Sequence, residues 1–106
     1  MKVLLDENLP HALRRELPSH DVFTVQYMGW SGTKNGALLA TAAAFGFDAM
    51  VTMDSGVPYQ QNVTTIPLSV VVLVAPSNDI DDLLPLVPAL RATLAGLPPK
   101  SIRYVS

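Results

Sequence analysis

The chain contains no cysteine, which excludes a disulfide framework, thiolate catalysis and the common thiolate zinc sites. Any metal it binds must take oxygen or imidazole ligands. Charge is also sparse. Only 15% of the 106 residues are charged, the net charge is −2, and the longest basic run is the pair Arg14-Arg15. The field of the whole protein will therefore not capture nucleic acid, and only a local patch could do so. Long apolar runs are missing as well. No stretch reaches membrane-spanning length, and the opening MKVLLDENLP meets two acids too early for a signal peptide. These absences lead to the expectation of no membrane association and a cytoplasmic location. Internal repeats, linkers and low-complexity segments are absent too.

What is present is a high apolar share, 49% of the residues. Disorder is excluded by such a composition, and the length suits one core, so residues 1–106 are expected to form a single domain. So apolar a chain of this size is also expected to leave surface uncovered, which points to a homo-oligomer or a stable partner. The proline-broken segment Leu83 to Leu97 is the candidate surface.

Along the chain, Lys2 to Leu5 reads as a strand ending in Asp6, and Pro10 opens a helix over His11 to Leu17. A second strand is expected over Asp21 to Val25. The turn-rich GWSGTKNG (Gly29 to Gly36) precedes an almost wholly small or apolar helix, Ala37 to Phe45, with Gly46 as its C-cap. Ala49 to Met53 is a continuous apolar run, as an inner parallel strand requires, and it ends in Asp54 much as the first strand ends in Asp6. Ser55 to Pro67 is irregular, with one helical turn around Pro58 to Asn62. Leu68 to Ala75, rich in β-branched residues and free of charge, should be the central strand. Asn78 or Asp79 can cap a last helix that Pro85 and Pro88 must kink or split. Ile102 to Val105 reads as an edge strand.

Strands alternating with helices imply an α/β fold of three layers, α/β/α, with a mostly parallel sheet built by right-handed crossovers. In such sheets the ligand crevice lies beyond the carboxyl ends of the strands, where Asp6 and Asp54 both fall. An aspartate ending a strand can equally cap the next helix or turn, and both readings stand at this point. Asn8 reads as a cap ahead of Leu9-Pro10. Tyr59, Gln60, Gln61 and Asn62 follow Asp54 closely and suit either contacts to single-stranded RNA or the fastening of a long loop. Arg14, Arg15 and Lys34 are the basic residues that could reach phosphates near the crevice, although solubility also explains them. His11 and His20 lack metal-ligand spacing. Trp30 is a docking anchor or a plug under its loop, and Asp79, Asp81 and Asp82 complement a helix dipole.

Taken together, LLDENLP, GWSGTKNG, VTMD followed by VPYQQN, and SNDIDDLLPLVPAL resemble a PIN-like family of small bacterial proteins, over Met1 to about Leu94. That family is related in fold to PIN-domain ribonucleases, including the toxins of VapBC-type toxin–antitoxin pairs. The resemblance implies a domain whose strand-end acids hold Mg²⁺ or Mn²⁺ for attack of water on an RNA phosphodiester. Hard ions of this kind take carboxylate oxygens. Asp6 matches the first acid of the PIN pattern and Asp54 a later one, so both become candidate catalytic residues and metal ligands, with Glu7 as a further ligand. Arg14, Lys34 and residues Tyr59, Gln60, Gln61 and Asn62 are the candidate RNA contacts. The pattern departs at the intervening helix, where PIN-type nucleases carry another acid and this chain has Asn35, Gly36 and Ala37. Two functions are therefore implied. One is a metal-dependent endoribonuclease, in the manner of a toxin held by a cognate antitoxin. The other is a non-catalytic PIN-like module that binds RNA or a protein partner.

Overall fold

A computed structural model describes residues 1–57 and 65–106. Tyr59, Gln60, Gln61, Asn62 and the helical turn expected around them lie outside the described residues. Five strands, β1 (Lys2–Leu5), β2 (Asp21–Thr24), β3 (Ala49–Thr52), β4 (Ser69–Leu73) and β5 (Ile102–Val105), form one sheet in the order β2-β1-β3-β4-β5. Every pairing is parallel. All residues of β3 and β4 are buried, because a central parallel strand is covered on both faces, and this is why AMVT and SVVVL carry no charge.

Alternation along the strands divides the apolar side chains between two cores. Val3, Leu5, Val51, Val71 and Leu73 belong to one, and Leu4, Met50, Val70 and Val72 to the other, as the two-residue period of a strand demands. The first core is closed by Leu13 and by the broken helical segment near the carboxyl terminus. That segment consists of α3 (Ile80–Leu83), a 3-10 turn (Leu84–Leu86) and α4 (Val87–Ala95). Pro85 and Pro88 each sit in the first two positions of the piece that follows the break, where a missing N–H leaves nothing unpaired. Leu83, Val87, Leu90 and Leu94 are all buried in this core. The segment expected to offer an association surface thus turns these four residues inward and leaves Leu84, Ala89, Ala92 and Ala95 exposed.

The second core is closed by α1 (Val25–Met28) and α2 (Asn35–Ala44), which contributes Leu38, Leu39 and Ala42. Several boundaries differ from the sequence expectation. Strand β2 stops at Thr24 because its hydroxyl accepts the Tyr27 amide at 3.0 Å and starts α1 there, a local side-chain bond that competes with the ladder. Helix α2 begins at Asn35, two residues earlier than its apolar run, and Gly46 follows its end at φ 83°, the left-handed conformation that glycine adopts freely. The expected helix over His11 to Leu17 is a 3-10 turn over His11–Glu16 that buries only Leu13. Among the described residues no helix is long and apolar enough to cross a membrane.

Candidate functional site

The strand order changes direction between β1 and β3. From β1 the chain steps outward to β2, whereas β3, β4 and β5 build the other side. A crevice opens beyond the carboxyl ends of strands at such a switch point. The register pairs Leu5 with Val51, and the Asp6 amide donates to the Val51 carbonyl at 2.9 Å. Asp6 therefore arrives level with Thr52, one residue past the paired strand.

Asp6 is only 6% exposed and Thr52 is fully buried. The Thr52 hydroxyl donates to Asp6 Oδ2 at 2.7 Å, and the Glu7 amide donates to Asp6 Oδ1 at 2.8 Å. The same hydroxyl accepts the Asp54 amide at 3.0 Å and the Asn8 side-chain amide at 3.4 Å. It joins the ends of the two strands. Asn8, expected to cap a helix, instead spans from β1 to β3, since its Oδ1 also accepts the Met53 amide at 3.4 Å. Its capping role is lost because Pro10 is the residue preceding the 3-10 turn and no side chain caps it.

Asp54 is half-buried. Its Oδ1 accepts the Gly56 amide at 2.8 Å, so the turn-forming reading of this aspartate holds for one oxygen. Its other oxygen accepts from Asn35 Nδ2 at 3.3 Å. The first residue of α2 thus reaches the strand-end acid, although the sequence resemblance assigns an acid to this part of the helix. Gly36 and Ala37 are both exposed.

The remaining candidates divide. Glu7 is exposed, and its carboxylate accepts the Gly32 amide at 3.3 and 3.4 Å. It thereby fastens the GWSGTKNG loop next to the crevice. Lys34 is exposed and immediately precedes α2, so it lies one residue from Asn35. Arg14 is placed elsewhere: it donates to the Val22 carbonyl and contacts His11, neither of which belongs to the crevice. Trp30 is half-buried and packs its ring against Phe45 and Phe47, which is the plug rather than the anchor.

Electrostatically, the crevice is unbalanced. Among the described residues Asp6 receives only neutral donors, and the ion pair is that of Arg91 with Glu16 at 3.8 Å. Taking a carboxylate out of water without a cation beside it is costly. The described residues gather no cluster of three or more acidic or imidazole side chains. The donor set nevertheless suits a hard divalent ion in kind. Among the described residues each of the four carboxylate oxygens accepts a hydrogen bond, and a carboxylate oxygen of this kind is a suitable ligand for a hard ion.

Thr52, and the bridging role of Asn8, are the parts of the candidate site that sequence reasoning missed. A threonine fully buried at the end of an apolar strand needs a partner, and its place two residues before Asp54 was the available signal. No protein-family model, curated protein or solved structure matches this chain.

Proposed function

We propose that the chain is a three-layer PIN-like domain and a metal-dependent endoribonuclease centred on Asp6 and Asp54. The observation that carries this reading is Asp6 itself, a carboxylate 6% exposed at the switch point of a parallel sheet with only neutral donors around it among the described residues. A buried carboxylate that no cationic side chain accompanies among the described residues is a fitting ligand for a hard cation. Asp6 and Asp54 would hold Mg²⁺ or Mn²⁺, with Glu7 as an outer partner, and the ion when bound would activate water and offset phosphate charge.

The protein's own contribution is orientation. Thr52 fixes the Asp6 carboxylate and the Asp54 backbone together, and Asn35 holds Asp54 from the helix side. Lys34 is suited to pair with a phosphate, and Tyr59, Gln60, Gln61 and Asn62 follow Asp54 closely enough in sequence to meet the bases of single-stranded RNA. A cognate antitoxin-like protein and a second copy of the chain are the partners this reading implies, in the cytoplasm.

One observation favours a second reading. Asn35 stands next to Asp54 where a third acid would strengthen the ion's hold, and a crevice with two carboxylates binds Mg²⁺ weakly. The same fold would then bind RNA or protein without cleaving it. Calorimetry with Mn²⁺ and cleavage of single-stranded RNA, run on the native chain and on Asp6→Asn, separate the two. Mn²⁺ heats and cleavage that both vanish in Asp6→Asn support the nuclease. RNA binding without cleavage, indifferent to Asp6→Asn, supports the module.

A further inference from the structure

Away from the crevice, the 3-10 turn and the start of β2 enclose a cleft of about 330 Å³ lined by His11, Arg14, Arg15, Leu17, Pro18, His20 and Val22. In an acidic protein this lining is exceptional, because it collects both of the chain's histidines and two of its four arginines. No carboxylate lines it. The charged groups nearby are Asp21, which acts on His20 from outside the lining, Glu16, which is bound to Arg91, and the terminal amine of Met1.

Two hydrogen bonds at the cleft each set a cationic donor against an imidazole. Arg14 Nη1 lies 3.3 Å from His11 Nε2, and the Met1 amine lies 3.4 Å from His20 Nδ1. A guanidinium and an ammonium only donate, so each imidazole accepts through the nitrogen named and keeps its proton on the other. Both rings are left with an N–H to give. Arg14 is held in place by donating through Nε to the Val22 carbonyl at 3.0 Å, which leaves other guanidinium N–H groups for a ligand. Arg15 is exposed and has no carboxylate partner among the described residues.

We infer that this cleft binds a phosphate group, free or carried as a phosphate monoester. The chemistry is that of several convergent donors, two of them permanently cationic, around a space at the small end of ligand pockets. A second cleft of about 310 Å³, mostly apolar and lined by Leu17, Pro18, Ser19, His20, Arg91 and Ala95, shares Leu17, Pro18 and His20 with the first. It offers room for the organic part of a monoester such as a nucleotide. The inference does not depend on the crevice, since the two sites have no residue in common.

The two histidines make the test direct, because their imidazole C–H signals report on these adjoining clefts and not on the crevice. Inorganic phosphate, a nucleoside 5′-monophosphate and a 5′-phosphorylated oligonucleotide are each titrated by NMR at constant neutral pH, with sodium chloride at matched ionic strength as the control. The expected result is a saturable shift of both histidine signals with phosphate, weakened about tenfold in Arg15→Ala and unchanged in Asp6→Asn. Tighter binding of the nucleotide than of free phosphate assigns the apolar cleft to the nucleoside, and equal binding assigns the site to phosphate alone. Because Arg14 also supports β2, Arg15→Ala is the variant that cannot fail merely by unfolding the strand. Shifts that chloride reproduces, or that survive intact in both Arg15→Ala and Arg14→Lys, overturn the inference.

Discussion

Thr52 Oγ1 stands 2.7 Å from Asp6 Oδ2 and uses its whole hydrogen-bonding capacity there, donating to Asp6 while accepting from the Asp54 and Asn8 amides. A hydroxyl has one proton and two lone pairs. One side chain therefore sets the orientation of one acid and the backbone position of the other, and it does so from full burial.

Thr52→Val keeps the shape of this side chain and removes all three bonds. The Asp6 carboxylate then loses a donor and the Asp54 amide loses its acceptor, in a buried place. The expected loss of stability is about 2 to 4 kcal/mol, read from the urea midpoint, and Thr52→Ser should recover most of it. A valine variant as stable as the native chain would show that the hydroxyl does not matter.

Two substitutions on α2 test the metal reading from the helix side. Asn35→Asp would place a second carboxylate beside Asp54, where the amide now lies 3.3 Å away. Like charges at such range disfavour one another, so the variant should melt lower in chelator and gain more from Mn²⁺ than the native chain does. Ala37→Glu replaces an exposed residue, so its effect on stability should stay within about 0.5 kcal/mol. If Mn²⁺ raises the melting temperature of neither variant, the crevice is not a metal site.

The positions of these acids were legible in the sequence because a parallel strand buried on both faces must be apolar until it ends, and Asp6 and Asp54 mark those ends. The burial of β4 was legible for the same reason, although the middle of the sheet is β3 and β4 lies beside the edge strand β5. Proline told where the last helical segment breaks, since its ring forbids an interior position. Asn8 misled because cap residues and cross-strand braces are the same polar types, and the difference is settled by a partner more than 40 residues away. The 3-10 turn after β1 misled in another way. Ala12, Leu13 and Leu17 have helical spacing, but only Leu13 within the turn is buried, so too little apolar surface rewards a full helix.

Lys2 joins the amino end of the sheet to the far end of α2. Its Nζ donates to the Phe45 carbonyl at 2.7 Å and lies 4.5 Å from the Phe47 ring centre and 5.6 Å from that of Phe23. A cation at a helix carboxyl end over two aromatic faces is favourable on both counts. Lys2→Met, which keeps the apolar stem, should lower stability by about 1 to 2 kcal/mol in a denaturant titration. Lys2→Arg should lose less, and an unchanged midpoint for methionine would assign the contact no energetic role.

The pKa of His20 is lowered from its ordinary value of 6.5, first by burial and then by the charged amino terminus, with Asp21 opposing. The unfolded chain therefore binds this proton at a higher pH than the folded chain. Its contribution to stability is complete above pH 6.5 and is lost as the pH falls through that value toward the lower pKa of the folded state. The pH dependence of the urea midpoint should accordingly become shallower on the acid side in His20→Gln. A slope identical in the two proteins would remove His20 from the acid response.

The pairing of Val3 with Ala49 has a kinetic consequence. Strand β1 meets β2 after 19 residues, yet it must wait 46 residues for β3, farther than any other neighbour in the sheet. Closing that longest loop carries the largest entropic cost of any strand pairing here. Asp6 and Thr52 lie on either side of that one junction, so a chain emerging from synthesis carries Asp6 long before it can carry the crevice. Fragments divided in the GWSGTKNG loop would each hold half of it, and mixing the two halves would restore the Asp6–Thr52 contact only by rebuilding the middle of the sheet.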